Sequence, residues 1–177
     1  MSIDLSKYKK SKKTNALPKF ETTSIGDRPA RIQNLSQFND KDLYYTYYTF
    51  DKGVSGYVER KEAHDSNDGK KKFIPYSLTV DGKWVMQAWP KNRTLYNEYL
   101  LKSHPDKPVA IHEGEKAADY GQKHLTKYNN ITFQGGSKAA GLSNYEHLKD
   151  KDVTLFPDND EDGIRAMAHV AKILIEK

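Results

Sequence analysis

The hydrophobic positions change their rhythm twice along the chain. From Leu43 to Trp89, aromatic and β-branched residues gather in four short runs, Tyr44–Phe50, Val54–Glu62, Lys71–Leu78 and Lys83–Trp89. Between them stand Asp51-Lys52-Gly53, Ser66-Asn67-Asp68-Gly69 and Asp81-Gly82, polar stretches with a glycine that suit tight hairpins. The pattern predicts an antiparallel meander of about four strands. Pro90 closes it, and Arg93–Lys102 reads as a short helix with Leu95, Tyr99 and Leu100 turned inward.

Beyond residue 107 strands and helices alternate. Val109-Ala110-Ile111, Ile131-Thr132-Phe133 and Asp152–Phe156 are short apolar runs. Lys116–Lys127 reads as a helix that offers Ala117, Ala118 and Leu125 to a core, with Gly121 as its weak point. Leu142–Leu148 reads as a shorter one. The last helix is the clearest, because Ile164, Met167, Ala168, Ala171, Leu174 and Ile175 recur on one face. Such alternation predicts parallel βαβ units with right-handed crossovers. The expected fold class is α/β: a parallel sheet with flanking helices, preceded by a small antiparallel, aromatic β-rich module.

Charge refines this division. The 177 residues carry a net charge of +5, with 29 Lys and Arg against 24 Asp and Glu. Residues 1–20 hold Lys7, Lys9, Lys10, Lys12, Lys13 and Lys19 against Asp4 alone, so the tail equals the whole excess and the remainder balances. Residues 21–107 are weakly basic and residues 108–177 weakly acidic. The expected organisation is a basic flexible tail over 1–20, a β-rich module over 21–107 and an α/β domain over 108–177. The tail is either a solvated terminus or an arm that meets phosphates by counterion release. No run approaches the ~18–20 apolar residues of a spanning helix, and the N-terminus has no apolar leader. Cysteine is absent, which removes disulfides, thiolate zinc sites and a Cys nucleophile, and fits a cytoplasmic location.

Eight of the 12 Tyr and both Trp lie between Tyr44 and Tyr99. Beside Lys70, Lys71, Lys72 and Arg60, these rings are either a base-stacking surface or the core of a small sheet that has few aliphatics.

In parallel α/β sheets, ligands sit beyond the carboxyl ends of the strands. Here the first strand delivers Glu113, the second the Gly135-Gly136 turn, and the third Asp158 and Asp160. Two carboxylates two positions apart on a tight loop can face one cation, and the glycines let backbone approach a phosphate. With neither Cys nor a His pair nearby, a hard, water-rich Mg²⁺ suits these oxygens best. Helix electrostatics explains Glu161 and Asp162, and part of Glu115, since acids favour a first turn. It does not explain Glu113 and Asp158 at strand ends. Two rival motifs fail. Asp158-x-Asp160-x-Asp162-Gly163 copies the start of a calcium loop, but its twelfth position is His169 inside the amphipathic helix. Gly136-x4-Gly141 starts like a Walker A loop, but Leu142 stands where the phosphate-binding Lys belongs. No Ser-His-Asp arrangement stands out among the six scattered His.

His112-Glu113-Gly114-Glu115-Lys116, Gly135-Gly136 and Phe156-Pro157-Asp158-Asn159-Asp160-x-x-Gly163 resemble the TOPRIM domain, in the version found in phage- and plasmid-type DNA primases and primase–helicases. The aromatic strand at Tyr47-Tyr48, the Asp51-Lys52-Gly53 turn, Tyr57-Val58-Glu59-Arg60, Lys71-Lys72-Phe73 and Arg93-Thr94-Leu95-Tyr96 resemble the segment that precedes TOPRIM there, so the resemblance covers roughly 44–177. It implies a TOPRIM-like sheet and primase-like nucleotidyl transfer, in which a 3′-hydroxyl attacks the α-phosphate of the next nucleotide. Glu113 becomes a metal ligand or general acid/base, and Asp158 and Asp160 the pair that holds Mg²⁺ or Mn²⁺. Lys116, with Gly135 and Gly136, becomes a candidate phosphate contact. The implied partners are single-stranded DNA and NTPs, with a separate replicative helicase or zinc-binding subunit and no membrane, in phage or plasmid replication.

Three departures qualify the resemblance. A chain without Cys has no zinc ribbon of the family's type, so no zinc is expected. The sequence ends within the helix after the aspartates, where TOPRIM domains continue into another strand, so an incomplete C-terminus is expected. The helicase portion of many relatives is also missing. A non-catalytic DNA-binding accessory or degenerate remnant of a primase is therefore the alternative, with a TOPRIM nuclease or topoisomerase fragment behind it.

Overall fold

The computed structural model describes residues 43–78, 84–89 and 91–176. The basic stretch 1–20, Pro90 and the Asp81-Gly82 turn lie outside the described residues.

The meander forms as expected. Strands β1 (Leu43–Tyr48), β2 (Val54–Lys61), β3 (Lys72–Leu78) and β4 (Trp84–Met86) make a four-stranded antiparallel sheet in sequential order. The first hairpin closes through Thr49, whose carbonyl accepts from the Lys52 amide and whose amide donates to the Gly53 carbonyl at 2.8 Å. Every residue from Val54 to Arg60 is buried, so β2 is covered on both faces. Among the described residues, most of the aromatics form a core. Tyr45, Tyr47, Tyr57 and Tyr76 are buried, and Arg60 with them, so neither these rings nor that guanidinium offers a free stacking or phosphate-binding surface. Tyr47 meets Trp89 edge-on with centroids 4.6 Å apart, and the Trp89 indole N–H donates to the Tyr76 carbonyl at 2.9 Å. That N–H needs a partner once the ring is buried.

The second sheet is parallel, with β5 (Val109–His112) between β6 (Asn129–Thr132) and β7 (Val153–Phe156). Its core contains Val109, Ile111, Ile131, Leu95, Leu101, Met167 and Val170. Each such fully buried aliphatic contributes about 1.5–3 kcal/mol. Helix α2 (Glu115–His124) crosses from β5 to β6, and α3 (Glu161–Ile175) follows β7. The Asn130 side-chain amide donates to the Leu125 and Tyr128 carbonyls at 3.1 Å, satisfying backbone acceptors just past α2. Gly121 has a packing reason: a Cβ there would lie 2.8 Å from both Asn130 Cγ and His112 Nε2.

Local expectations fail in four places. The helix over Arg93–Lys102 shrinks to α1 (Tyr99–Ser103), because the Arg93 and Tyr96 backbones instead form bridges to Ser143 and Thr132. Leu142–Leu148 is not one helix; two 3₁₀ turns, Ser137–Leu142 and Glu146–Leu148, flank an extended Ser143. Ala117 is exposed, since α2 docks through Ala118 and Gly121. The buried face of α3 is Gly163, Ala166, Met167 and Val170, which leaves Ile164 at 51% and Ile175 at 85% exposure.

The two sheets meet through α2. Tyr45, Tyr47, Val58, Trp89 and Tyr96 form one buried cluster with Ala118.

Candidate functional site

The parallel register decides which residues meet. His112 pairs with Thr132 on one side and Phe156 on the other, so all three strands end level. The central strand therefore places Glu113 between the residues that follow β6, which lead to Gly135 and Gly136, and those that follow β7, which lead to Asp158. This is where a parallel sheet presents its ligand site.

Glu113 and Asp158 are in direct contact. The Asp158 amide donates to Glu113 Oε2 at 3.0 Å. Burial pushes the Glu113 carboxyl above its ordinary range, and the charges of Asp158, Asp160 and Asp162 push it further, against the pull of the Asp158 amide. Gly163 permits this arrangement. A Cβ there would collide with Glu113 Oε2 and lie 2.8 and 2.9 Å from the Asp158 backbone oxygen and nitrogen. The glycine follows from the need of α3 to start against the acidic loop.

Asp160 is the N-cap of α3, and its Oδ1 accepts from the Gly163 amide at 2.7 Å. One oxygen is thus used by the helix. Glu161 and Asp162 are exposed first-turn acids near Arg165, at 3.5 and 3.7 Å respectively. Among the described residues, no three Asp, Glu or His side chains stand ready to enclose one ion. The donor set that remains consists of hard carboxylate oxygens gathered at mutual electrostatic cost. It fits a cation that keeps most of its waters, and Mg²⁺ is commonly held by one or two carboxylates in this way.

Gly135 and Gly136 both lie at positive φ, 96° and 70°. Gly135 also packs against Arg93, since a Cβ would lie 2.9 Å from Arg93 Nη1. Arg93 holds this turn through the Gln134 side chain, 2.5 Å from Nη1, and its Nε donates to the Trp89 carbonyl at 3.1 Å. These glycines share with Glu113, Arg93, Val58, Phe73 and Pro75 a cleft of about 430 Å³. Lys116 is not there. It is exposed on α2 and lines a different groove, together with Asp158, His112 and Tyr120.

Sequence reasoning left four residues, Arg93, Phe73, Glu115 and His112, without a site role. Arg93 and Phe73 enter the cleft from segments distant in sequence, and their only signal was membership of the stretches resembling the pre-TOPRIM segment. Glu115 reads as a helix-start acid, yet it is buried and accepts from the Tyr47 hydroxyl at 2.6 Å. Burial raises its carboxyl, and the Tyr47 bond lowers it. His112 is likewise buried, with Nε2 2.8 Å from Asn130 Oδ1 and its ring stacked on Phe156.

A family model matches residues 38–159, more than half of the chain. The chain belongs to DUF6371, a domain of unknown function. In this DUF6371 member the match takes in the meander, Glu113, both glycines and Asp158, and ends just before Asp160. No curated protein matches the chain. Among solved structures, it is similar to the primase fragment of the bacteriophage T7 primase-helicase protein, with a TM-score of 0.51 and 20% identity over 77% of this chain and 51% of that one. It is also similar, with a TM-score of 0.40 and 15% identity, to a chain in a T7 assembly of lagging-strand DNA polymerase with primase domains bound to an RNA/DNA hybrid and dTTP. That alignment covers 78% of this chain and 80% of the other. The fold likeness rests on the first, and the chain spans about half the length of that fragment. This DUF6371 member therefore has a primase-like fold.

Proposed function

We propose that this chain is a TOPRIM-type, primase-like protein that performs Mg²⁺-dependent nucleotidyl transfer on DNA during replication. The observation that carries the reading is the Glu113–Asp158 contact at the carboxyl end of the parallel sheet, where Glu113 opens on the cleft that receives Gly135 and Gly136. The primase-like fold supports it. Glu113, Asp158 and the second oxygen of Asp160 would hold Mg²⁺ or Mn²⁺, with water as the remaining ligands. A cation there supplies positive charge against the charge that develops on a transferring phosphoryl group. The chain itself positions. Gly135 and Gly136 let backbone close on a phosphate, Arg93 fixes their turn, and Lys116 adds positive charge on the Asp158 side. The substrates are NTPs and a single-stranded DNA template, with a helicase or a zinc-binding subunit supplied by a separate chain.

The test is primer synthesis on single-stranded DNA with NTPs and Mg²⁺ or Mn²⁺, comparing wild type with Asp158→Asn. Synthesis by the wild type that the substitution abolishes supports the reading. The side-chain oxygen that Asp160 gives to its helix, and the lack of a ready three-acid group among the described residues, favour a second reading, a non-catalytic DNA-binding accessory. That reading predicts no synthesis by either protein and DNA binding that Asp158→Asn leaves unchanged.

A further inference from the structure

We propose that Phe73 seats the nucleobase of the incoming nucleotide, an assignment that rests on the nucleotidyl-transfer reading above. The cleft of about 430 Å³ has two unlike linings. The antiparallel sheet supplies Val58, Phe73 and Pro75, extended by Ala88, and these are apolar. The ends of the parallel sheet supply Glu113, Gln134, Gly135 and Gly136, which are polar. An occupant that satisfies both has a flat, weakly polar body at one end and a hydrogen-bonding, anionic group at the other. That is the build of a nucleotide.

Phe73 is the most exposed of the sheet's described aromatic side chains. Tyr45, Tyr47, Tyr57 and Tyr76 are buried, whereas Phe73 is 51% exposed. Leaving a phenylalanine half in water forgoes burial free energy that its buried neighbours gain. The Arg60 guanidinium lies 5.8 Å from the centroid of the Phe73 ring and is itself held by Glu62 at 2.8 Å. A cation fixed against a ring anchors its position and strengthens it as a stacking platform. Every base presents a π-face, so such a platform accepts any of them. Lys70 and Lys71 are exposed just before Phe73 on the approach to β3 and add positive charge within three residues of the ring. Phe73 thus faces the base, and the glycine turn faces the phosphates.

Binding of ATP with Mg²⁺, measured by titration calorimetry on the whole chain, tests this, with inorganic tripolyphosphate as the baseless probe. Phe73→Ala is expected to weaken ATP about five-fold or more while leaving tripolyphosphate unchanged, and Phe73→Trp to retain ATP affinity. Thermal melts check that each variant is folded, and Phe73→Leu replaces Phe73→Ala if the latter melts early. Wild-type ATP binding that Phe73→Ala leaves intact overturns the Phe73 assignment and spares the nucleotidyl-transfer reading. Equal weakening of both probes also overturns it, as damage to the cleft at large. Failure of the wild type to bind ATP overturns both.

Discussion

The Tyr47 hydroxyl donates to the Glu115 carboxylate at 2.6 Å, and this buried bond ties the antiparallel sheet to the first turn of α2. Glu115 lies two residues beyond Glu113, so the same contact fixes the loop that carries the acidic site. Tyr96, from the segment after that sheet, makes a second such bond one turn later, donating to Asp119 at 2.9 Å. Both phenols are buried and anchor α2 from behind the cleft, which Glu115 itself helps to line.

Removing the first of them should be costly in a pH-dependent way. Tyr47→Phe leaves a buried carboxylate short of its donor, a loss of about 1–3 kcal/mol. The Glu115 carboxyl is raised by burial, and the lost bond was lowering it, so the variant raises it further. A carboxyl whose folded pKa exceeds its unfolded one binds more protons when folded, so stability falls as pH rises between the two values. Chemical denaturation should therefore show a larger deficit at pH 7 than at pH 4.5. A deficit that is equal at both, or absent, rejects the role given to this bond.

Gly163→Ala sets two effects against each other. Alanine favours a helix over glycine by roughly 0.5–1 kcal/mol. The new Cβ, however, meets the Asp158 backbone at 2.8 and 2.9 Å and collides with the Glu113 carboxylate. Backbone cannot swing away as a side-chain end can, so the clash should win, with a net loss of about 1–3 kcal/mol. A melting temperature equal to or above that of the wild type contradicts the packing described for this loop.

Asp162 is exposed and outside the proposed ligand set, yet its charge helps to hold the Glu113 carboxyl up. Asp162→Asn removes a repelling charge, favours ionised Glu113 and lowers its pKa. The acid limb of a pH profile for primer synthesis should shift to lower pH. A limb that stays put or moves to higher pH shows that Glu113 ionisation does not set it.

The six lysines of residues 1–20 carry the net positive charge of the chain. If they meet phosphates, deleting residues 1–20 should reduce the slope of log affinity for single-stranded DNA against log salt by up to about 4. An unchanged slope assigns the stretch to solubility alone.

Much of this architecture was legible in the residues. Hairpin-forming glycines and the aromatic period gave the four antiparallel strands, and alternation after residue 107 gave the parallel sheet. The strand ends also pointed to Glu113, Gly135, Gly136 and Asp158, because a parallel sheet aligns such ends whatever its details. What escaped was set by contacts between distant segments. Glu115 reads as a helix-start acid because its partner Tyr47 is 68 positions away. Hydrophobicity alone draws the α3 face through Ile164, Met167, Ala168, Ala171, Leu174 and Ile175, but the helix docks through Gly163, Ala166, Met167 and Val170, since only a residue without a side chain fits beside Glu113. Arg93–Lys102 has helix-forming residues at its start, yet tertiary bridges to Ser143 and Thr132 claim that backbone. Lys116 and the two glycines are separated by the direction in which α2 leaves the sheet.

The most direct measurement is incorporation of labelled NTP opposite a single-stranded DNA template as Mg²⁺ is titrated, with wild type and Glu113→Gln side by side. The account predicts metal-dependent incorporation by the wild type and its loss in Glu113→Gln, with the variant still folded and still binding DNA. Incorporation by Glu113→Gln at the wild-type rate, or none by the wild type at any Mg²⁺ concentration, contradicts it.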